Sequence, residues 1–148
     1  MTGTTSRAPQ FKRDLLDAIK AKIPGVQVEY QWPGPNTRPE AIFLGNISGA
    51  SSVPSMKSGR RSRDETYSVE VYVWVFRPDG TPLNGYDVEA RAFELKAALD
   101  DVLADDPTFG GTVQWAGADT TFDTEWQAVD KGWGVQLLTR VDVQDRLY

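Results

Sequence analysis

The sequence predicts an α+β domain in which two helices cover one face of a mostly antiparallel sheet. Two segments with helical spacing and several with strand character follow one another in the order α-β-β-β-α-β-β-β. Hairpin-like connections between the strands favour antiparallel pairing. No internal repeat divides the 148 residues, so we expect a single domain at 9–148 after a flexible arm at 1–8.

The first helix is predicted at 9–22, where apolar residues recur at helical spacing and Pro9 suits the first turn. Pro24 disfavours further helix and ends this element. The following segment, 26–32, alternates apolar and polar residues, as a half-buried strand does. A second, more apolar strand is predicted at 40–47.

The central part of the chain combines a loop and a dominant strand. A Ser- and Gly-rich segment at 49–64 shows no periodicity and is predicted to be a mobile basic loop. The strand predicted at 65–76 is the strongest, with alternating valines on one face. Its other face changes from polar to aromatic and ends in Tyr72, Trp74 and Phe76. At about 3.3 Å per residue this strand would reach roughly 40 Å.

The second helix is predicted at 86–104, with one apolar stripe that packs on the sheet. Tyr86 and Phe93 lie on nearly the opposite side, which indicates burial on two sides. Either a loop of the same chain covers Phe93, or this side is a subunit contact. Further strands are then predicted at about 112–117, 121–129 and 133–144.

The absence of two residue types excludes large classes of chemistry. Without Cys the chain has no disulfide, thiolate zinc site or cysteine nucleophile, and without His it has no imidazole ligand or triad base. Carboxylates at Asp119, Asp123 and Glu125, and the pairs at 100–101 and 105–106, lack calcium-loop spacing. They are interpreted as a solvated acidic face or a subunit contact. We predict no catalytic residue, no metal ligand and no cofactor.

Charge is distributed unevenly along the chain. The net charge is −5. Residues 1–63 contain ten basic and four acidic side chains, whereas residues 64–148 contain six basic and seventeen acidic ones. One half of a molecule could therefore attract the opposite half of a second copy.

A basic cluster lies in the predicted loop. It consists of Lys57, Arg60, Arg61 and Arg63. These cations could engage phosphates, but no recognition helix follows them, so sequence-specific nucleic-acid binding is not predicted. The cluster is interpreted either as a flexible loop that meets an acidic protein surface or passing DNA, or as a solvated loop tip.

Nothing in the sequence indicates a targeting or membrane segment. The N-terminal residues are polar and lack the apolar core of a signal peptide. The longest strongly apolar run, 71–76, is far shorter than the ~20 residues that span a bilayer. We therefore expect a protein made and kept in a cytosol-like compartment, without membrane contact.

The succession of elements along the chain follows a known layout. It comprises an amphipathic helix at 11–23 closed by Pro24 and Gly25, the segment 38–45, the dominant strand 65–76, a helix containing 93–99, and a closing pair of strands. This layout resembles the tail terminator proteins of long-tailed bacteriophages, also called tail completion or head-to-tail joining proteins. The resemblance covers nearly the whole chain and rests on the order of elements.

The resemblance implies a hexameric ring of small α+β subunits in the virion, at the head-proximal end of the tail tube. Such a ring stops polymerisation of the tail tube protein and provides the surface on which the head-to-tail connector docks. It has no catalytic activity, and DNA passes through its channel without sequence-specific binding. Assembly would take place in the host cytoplasm.

A ring requires two different patches of one subunit to meet. The basic and acidic halves provide unlike patches, and aromatic side chains provide area to bury. The predicted interface consists of Lys57, Arg60, Arg61, Arg63, Tyr72, Trp74, Phe76, Tyr86 and Phe93. Glu29, Glu70 and Asp142 lie on polar strand faces and are predicted to line the channel, where carboxylates keep DNA phosphates from binding.

Two alternatives stay open. One is another neck or minor tail component, which would bind a different partner. The other is a cytosolic module that holds a small apolar ligand between sheet and helices, in a pocket lined by tryptophans. These are Trp32, Trp74, Trp115, Trp126 and Trp133. Core packing is the competing use of most of them.

Overall fold

The structure, a computed structural model, describes residues 5–52, 63–77, 84–129 and 132–147. It confirms the predicted α+β class and the predicted order of elements. The helices are α1 (Ala8–Lys22) and α2 (Gly85–Asp105), and the strands are β1 (Gln27–Glu29), β2 (Glu40–Ser52), β3 (Arg63–Arg77), β4 (Trp115–Val129) and β5 (Gly132–Leu147).

The described strands form one mixed sheet in the order β1-β2-β3-β5-β4. β1 runs parallel to β2, and every other neighbouring pair is antiparallel. β3 and β5 pair along their whole lengths, from Arg63 opposite Leu147 to Arg77 opposite Trp133. These two long strands form the centre of the sheet, and both helices pack against the same face of it.

The core lies between the helices and this inner face. Val69, Val71, Val73 and Val75 of β3 are completely buried there. Leu15 of α1 and Leu95 and Leu99 of α2 are buried against them, together with Leu137, Val141 and Val143 of β5. Burying one such side chain stabilises the fold by about 1.5–3 kcal/mol. The strict alternation along β3 therefore fixes which face the helices cover.

Residues 6–8 of the predicted flexible arm are held in place. The Arg7 guanidinium donates to both carboxylate oxygens of Asp145, at 2.9 and 2.6 Å. Ser6 Oγ donates to Glu65 Oε1 at 2.8 Å. Asp145 is 1% exposed. The ion pair with Arg7 joins the start of α1 to the end of β5. The prediction of a flexible arm is wrong for these residues.

The first strand is shorter than predicted. β1 covers Gln27–Glu29 instead of 26–32, and Trp32 is 67% exposed. A bulge between Leu44 and Ile47 of β2 interrupts the sheet where a longer β1 would continue. The Gly45 carbonyl there accepts a hydrogen bond from Lys12 Nζ at 2.7 Å. Local alternation therefore overestimated this strand, because its partner bends away.

The predicted loop at 49–64 is shorter than expected. Ser51 pairs with Glu65 and Ser52 with Asp64, so residues 49–52 and 63–64 belong to β2 and β3. Pairing with a distant strand supplies the regularity that the local sequence lacks. The intervening residues 53–62, with Lys57, Arg60 and Arg61, lie outside the described residues.

The two strands predicted at 112–117 and 121–129 are halves of one strand, β4. A register shift between Ala118 and Phe122 separates the halves. The start is later than predicted because residues 107–112 form turns, with positive φ at Phe109, Gly110 and Gly111. β4 forms one edge of the sheet, next to β5.

Candidate interaction surface

The sheet face opposite the helices is here called the open face. Residues paired across neighbouring strands point to the same side of a sheet, so the registers identify its members. Phe43 is opposite Tyr72, and Tyr72 is opposite Leu138. Its central members are Glu70, Tyr72, Trp74 and Phe76 of β3 and Gln136, Leu138, Arg140 and Asp142 of β5. No described element packs over this face.

One end of the open face is aromatic. The rings of Phe43 and Tyr72 stack with centroids 5.2 Å apart, and those of Trp74 and Phe76 stack at 6.0 Å. Tyr72, Trp74, Phe76 and Leu138 are half-buried although no second layer covers them. Because these side chains shield one another only in part, they form an apolar surface that a partner can still bury.

Two tryptophans of the open face lie directly on glycine residues of the sheet. A Cβ at Gly134 would collide with the indole of Trp74, and a Cβ at Gly117 would collide with the indole of Trp115. Each indole therefore lies flat on backbone instead of projecting from the sheet. This arrangement fixes the orientation of Trp74 before any partner arrives.

The middle of the open face is polar and internally paired. Glu70 Oε1 accepts a hydrogen bond from the Asn46 amide at 3.0 Å, and Glu70 Oε2 lies 3.9 Å from Arg140 Nη2. Burial, reinforced by the negative charge of Glu70, raises the pKa of the Tyr72 phenol. Tyr72 is therefore neutral at physiological pH and presents a hydroxyl, not a phenolate.

The three carboxylates predicted to line a channel share this face. Glu70 and Asp142 lie in its polar middle, and Glu29 lies opposite Phe43 beside the aromatic end. Arg140, which sequence analysis did not include, lies between Glu70 and Asp142 in the register. The polar middle therefore carries two carboxylates and one guanidinium, which leaves a net negative charge that is smaller than the carboxylates alone would give.

The predicted interface residues do not form one continuous patch. Tyr72, Trp74 and Phe76 share the open face, whereas Tyr86 is 82% exposed on α2. Arg63 is exposed at the start of β3. Lys57, Arg60 and Arg61 lie outside the described residues.

Phe93 packs within its own chain. Its ring meets Phe122 of β4 edge to face, with centroids 5.5 Å apart, and it also contacts the core. Phe93 is therefore covered by its own chain, as one of the two interpretations held. The residue that covers it belongs to a strand, β4, and not to the loop which that interpretation expected. Of the two aromatic residues on the second side of α2, Phe93 therefore packs within the fold of its own chain.

Sequence analysis missed Leu138 and Trp115 as members of the open face. Leu138 belongs to the alternation of the last strand, but its neighbours across the sheet follow only from the register with Tyr72. Trp115 is opposite Gln144 and is 45% exposed. The sequence signal for Leu138 is its place in the alternation of the last strand, and the signal for Trp115 is an aromatic residue close to a glycine, Gly117.

The five tryptophans do not line a common pocket. Trp74 and Trp115 cover glycines on the open face. Trp126 lies against Gly85 at the start of α2, and Trp133 is opposite Arg77 on the side of the helices. Trp32 borders a shallow open groove that also includes Lys12, Phe43 and Tyr72. The described arrangement therefore gives no support to a shared aromatic ligand cavity.

The described residues contain no group of three or more acidic side chains arranged to hold a metal ion. Two of the acidic side chains near the end of α2 have basic neighbours instead. Asp100 pairs with Lys96 at 3.0 Å, and Asp105 lies 3.9 Å from Lys22. None of the described helices is long and apolar enough to cross a membrane.

Comparisons with known proteins identify no family for this chain. No family model and no curated protein matches the chain. One solved structure is similar over 90% of this chain and 89% of its own length, at 17% sequence identity and a TM-score of 0.40. A likeness at this level does not identify a shared function.

Proposed function

We propose that this chain is a tail terminator of a long-tailed bacteriophage, a structural subunit that forms a hexameric ring on the head-proximal end of the tail tube. The observation that carries the proposal is the open face, whose aromatic end is half-buried with no covering layer among the described residues. Aromatic residues of this kind are enriched in subunit interfaces. A ring subunit needs such a surface, because its fold is completed by its neighbours.

The chemistry of the remaining surface supports an assembly role. The chain lacks His and Cys, and its described carboxylates include several that are paired with Lys or Arg. The polar middle of the open face, with Glu70 and Asp142, is suited to a channel wall because it offers no net positive charge to DNA phosphates. The aromatic end, with Trp74 and Phe76, is suited to a protein contact.

The first test is the mass of the protein in solution, measured by size-exclusion chromatography with light scattering. We expect a species near six times the 16.4 kDa of the chain, and ring-shaped particles with a central hole in electron micrographs. Because the ring is proposed to cap a tube, we also expect the protein to arrest polymerisation of the tail tube protein encoded by the same genome. A strict monomer that leaves tube growth unchanged contradicts the proposal.

The aromatic end provides a matched pair of variants for the same assay. Trp74→Ala removes the indole from the open face, whereas Tyr86→Ala removes an aromatic side chain that projects into solvent from α2. Trp74→Ala is expected to weaken assembly at least tenfold and Tyr86→Ala much less. Equal effects would show that the open face is not the surface used.

A further inference from the structure

One side of β2 has no neighbouring strand among the described residues. β1 pairs only with residues 41–43. Lys12 and Glu70 bond the Gly45 carbonyl and the Asn46 amide, so the free edge is the backbone of residues 47–52. Its sequence, ISGASS, contains no charged residue and no proline. Natural sheets usually protect such an edge with Lys, Pro or a short strand, because an open edge pairs with other chains. This edge is therefore open to strand addition.

A groove runs beside this free edge. It has a volume of about 210 Å³ and is bordered by Ser6, Gly49, Ser51, Glu65 and Tyr67. Tyr67 is 6% exposed, and its hydroxyl has no hydrogen-bond partner among the described residues. Gly49 has no room for a Cβ, because one would collide with Tyr67. The edge and the groove together offer a flat, small-residue surface to an extended segment.

The other edge of the same sheet has the opposite character. β4 exposes large aromatic side chains, with Phe122 and Trp126 more than 40% exposed, on the side of the helices. Asp123 and Glu125 are exposed on the side of the open face. Large side chains on β4 and small ones on residues 48–52 are complementary in shape for cross-strand packing.

The two edges also differ in charge. The free edge of β2 carries no charged side chain, whereas β4 presents the exposed carboxylates of Asp123 and Glu125 on the side of the open face. Like charges placed opposite each other across two strands are destabilising, so two β4 edges repel each other. This favours a contact between unlike edges over one between two copies of β4.

We infer that the free edge of β2, at residues 47–52, pairs with β4 of a second copy, so that the sheets of neighbouring subunits join edge to edge. The inference rests on the proposed function in that copies of the chain must associate. It adds which strands meet. Because the two edges differ, the contact is heterologous and repeats around a ring in one direction.

The absence of cysteine allows a direct test by cross-linking. Ser51→Cys places a thiol on the β2 edge and Thr124→Cys places one on β4, and both positions are exposed. Each purified variant is treated alone and then mixed with the other, using a short bismaleimide reagent. We expect a covalent dimer mainly in the mixture, because only the mixture contains thiols on both sides of the proposed contact.

A charge-reversal pair tests the same contact without cross-linking. Ala50→Glu places a carboxylate beside the free edge, on the face that β4 lines with Asp123 and Glu125, whereas Ala50→Lys places a cation of similar length there. Ala50→Glu is expected to weaken association about tenfold, and Ala50→Lys to leave it unchanged or tighter. Adding Glu125→Lys to Ala50→Glu should restore association. Circular dichroism and thermal unfolding verify that each variant is folded.

The outcomes separate this inference from the proposed function. Cross-linking of Ser51→Cys with itself as efficiently as in the mixture would overturn the pairing of unlike edges. A hexamer by light scattering that gives no cross-link between the two edges, and that tolerates Ala50→Glu, would overturn the inference and leave the ring standing. A protein that remains monomeric and yields no cross-link contradicts both.

Discussion

The two faces of β3 differ in what completes them. On the inner face, Val69, Val71, Val73 and Val75 are completely buried by helices of the same chain. On the open face, the alternating residues from Glu70 to Phe76 are half-buried by one another and by β5. One face of β3 is thus covered by helices of the same chain, and the other is left uncovered by the described elements.

We expect the inner face to determine the fold and the open face to carry the proposed association. From Val69 to Val75 the inner face of β3 is aliphatic, so its contribution is non-directional apolar burial. The open face is graded from polar to aromatic, and it holds its tryptophans in fixed orientations over glycines. Fixed aromatic residues lose little conformational entropy on binding, which is a property of interaction surfaces.

Adjacent leucines of β5 provide the strongest test of this comparison. Leu137 points to the inner face and is completely buried, whereas Leu138 is half-buried on the open face. Leu137→Ala is expected to lower the free energy of unfolding by about 2–5 kcal/mol. Leu138→Ala should cost roughly 1 kcal/mol or less and instead weaken association. Urea unfolding combined with light scattering measures both effects, and similar losses of stability would remove the distinction between the faces.

Gly134, which lies beneath the indole of Trp74, provides a second test with a smaller expected effect on stability. Gly134→Ala introduces a methyl group that collides with the indole and is expected to destabilise the fold by about 1–3 kcal/mol. The near-UV circular dichroism of the tryptophans should change with it. In the double variant with Trp74→Ala, the added cost of Gly134→Ala should largely disappear, because the colliding ring is absent. A cost that persists would show that the strand itself, and not the ring above it, requires glycine.

An ion-pair cluster at the margin of the inner face gives the smallest effect. Although burial alone would raise it, hydrogen bonds from Arg91 and Arg77 hold the pKa of Glu40 below its ordinary value. A depressed carboxyl pKa stabilises the folded state at neutral pH, and this contribution disappears as the pH falls through the folded-state value. Glu40→Gln should therefore reduce the loss of stability between about pH 6 and about pH 3 by roughly 1 kcal/mol.

The matched control for this experiment is Glu94→Gln. Glu94 bonds the same Arg91 guanidinium at 3.0 Å, but its side chain is two-thirds exposed and lies on the helix surface. Exposed pairs of this kind contribute little to stability. If both variants alter the pH dependence of urea unfolding equally, the ion pairs of Glu40 contribute no more to stability than the exposed pair of Glu94 and Arg91.

Sequence reasoning succeeded where local periodicity decides the structure. Both helices and the strands at 65–76 and 133–144 were placed within a few residues, because apolar side chains repeat there at a fixed period. Local periodicity does not give the ends of β1 or the outer half of β2. The length of β1 depends on a bulge in β2, and the outer half of β2 depends on pairing with β3, and in both cases the deciding residues lie elsewhere in the chain.

The same distinction applies to the candidate surface. Tyr72, Trp74 and Phe76 were grouped correctly on one strand face, because alternation alone fixes their side. Leu138 and Arg140 joined them only through the register of β5, which no local pattern specifies. The free edge of β2 was likewise hidden, because its residues 49–52 lack the periodicity of a strand.

The two neighbours of β3 in the sheet are synthesised at different times. β2 is synthesised just before β3, but β5 follows only after residues 78–131. At the usual 5–20 residues per second, the ribosome needs roughly 3–11 s to supply that partner. During this interval the nascent β2–β3 hairpin exposes both its valines and its aromatic residues along an unpaired edge. The strand that carries the open face therefore lacks its main partner during synthesis, and an unpaired edge of this kind is prone to pair with other chains.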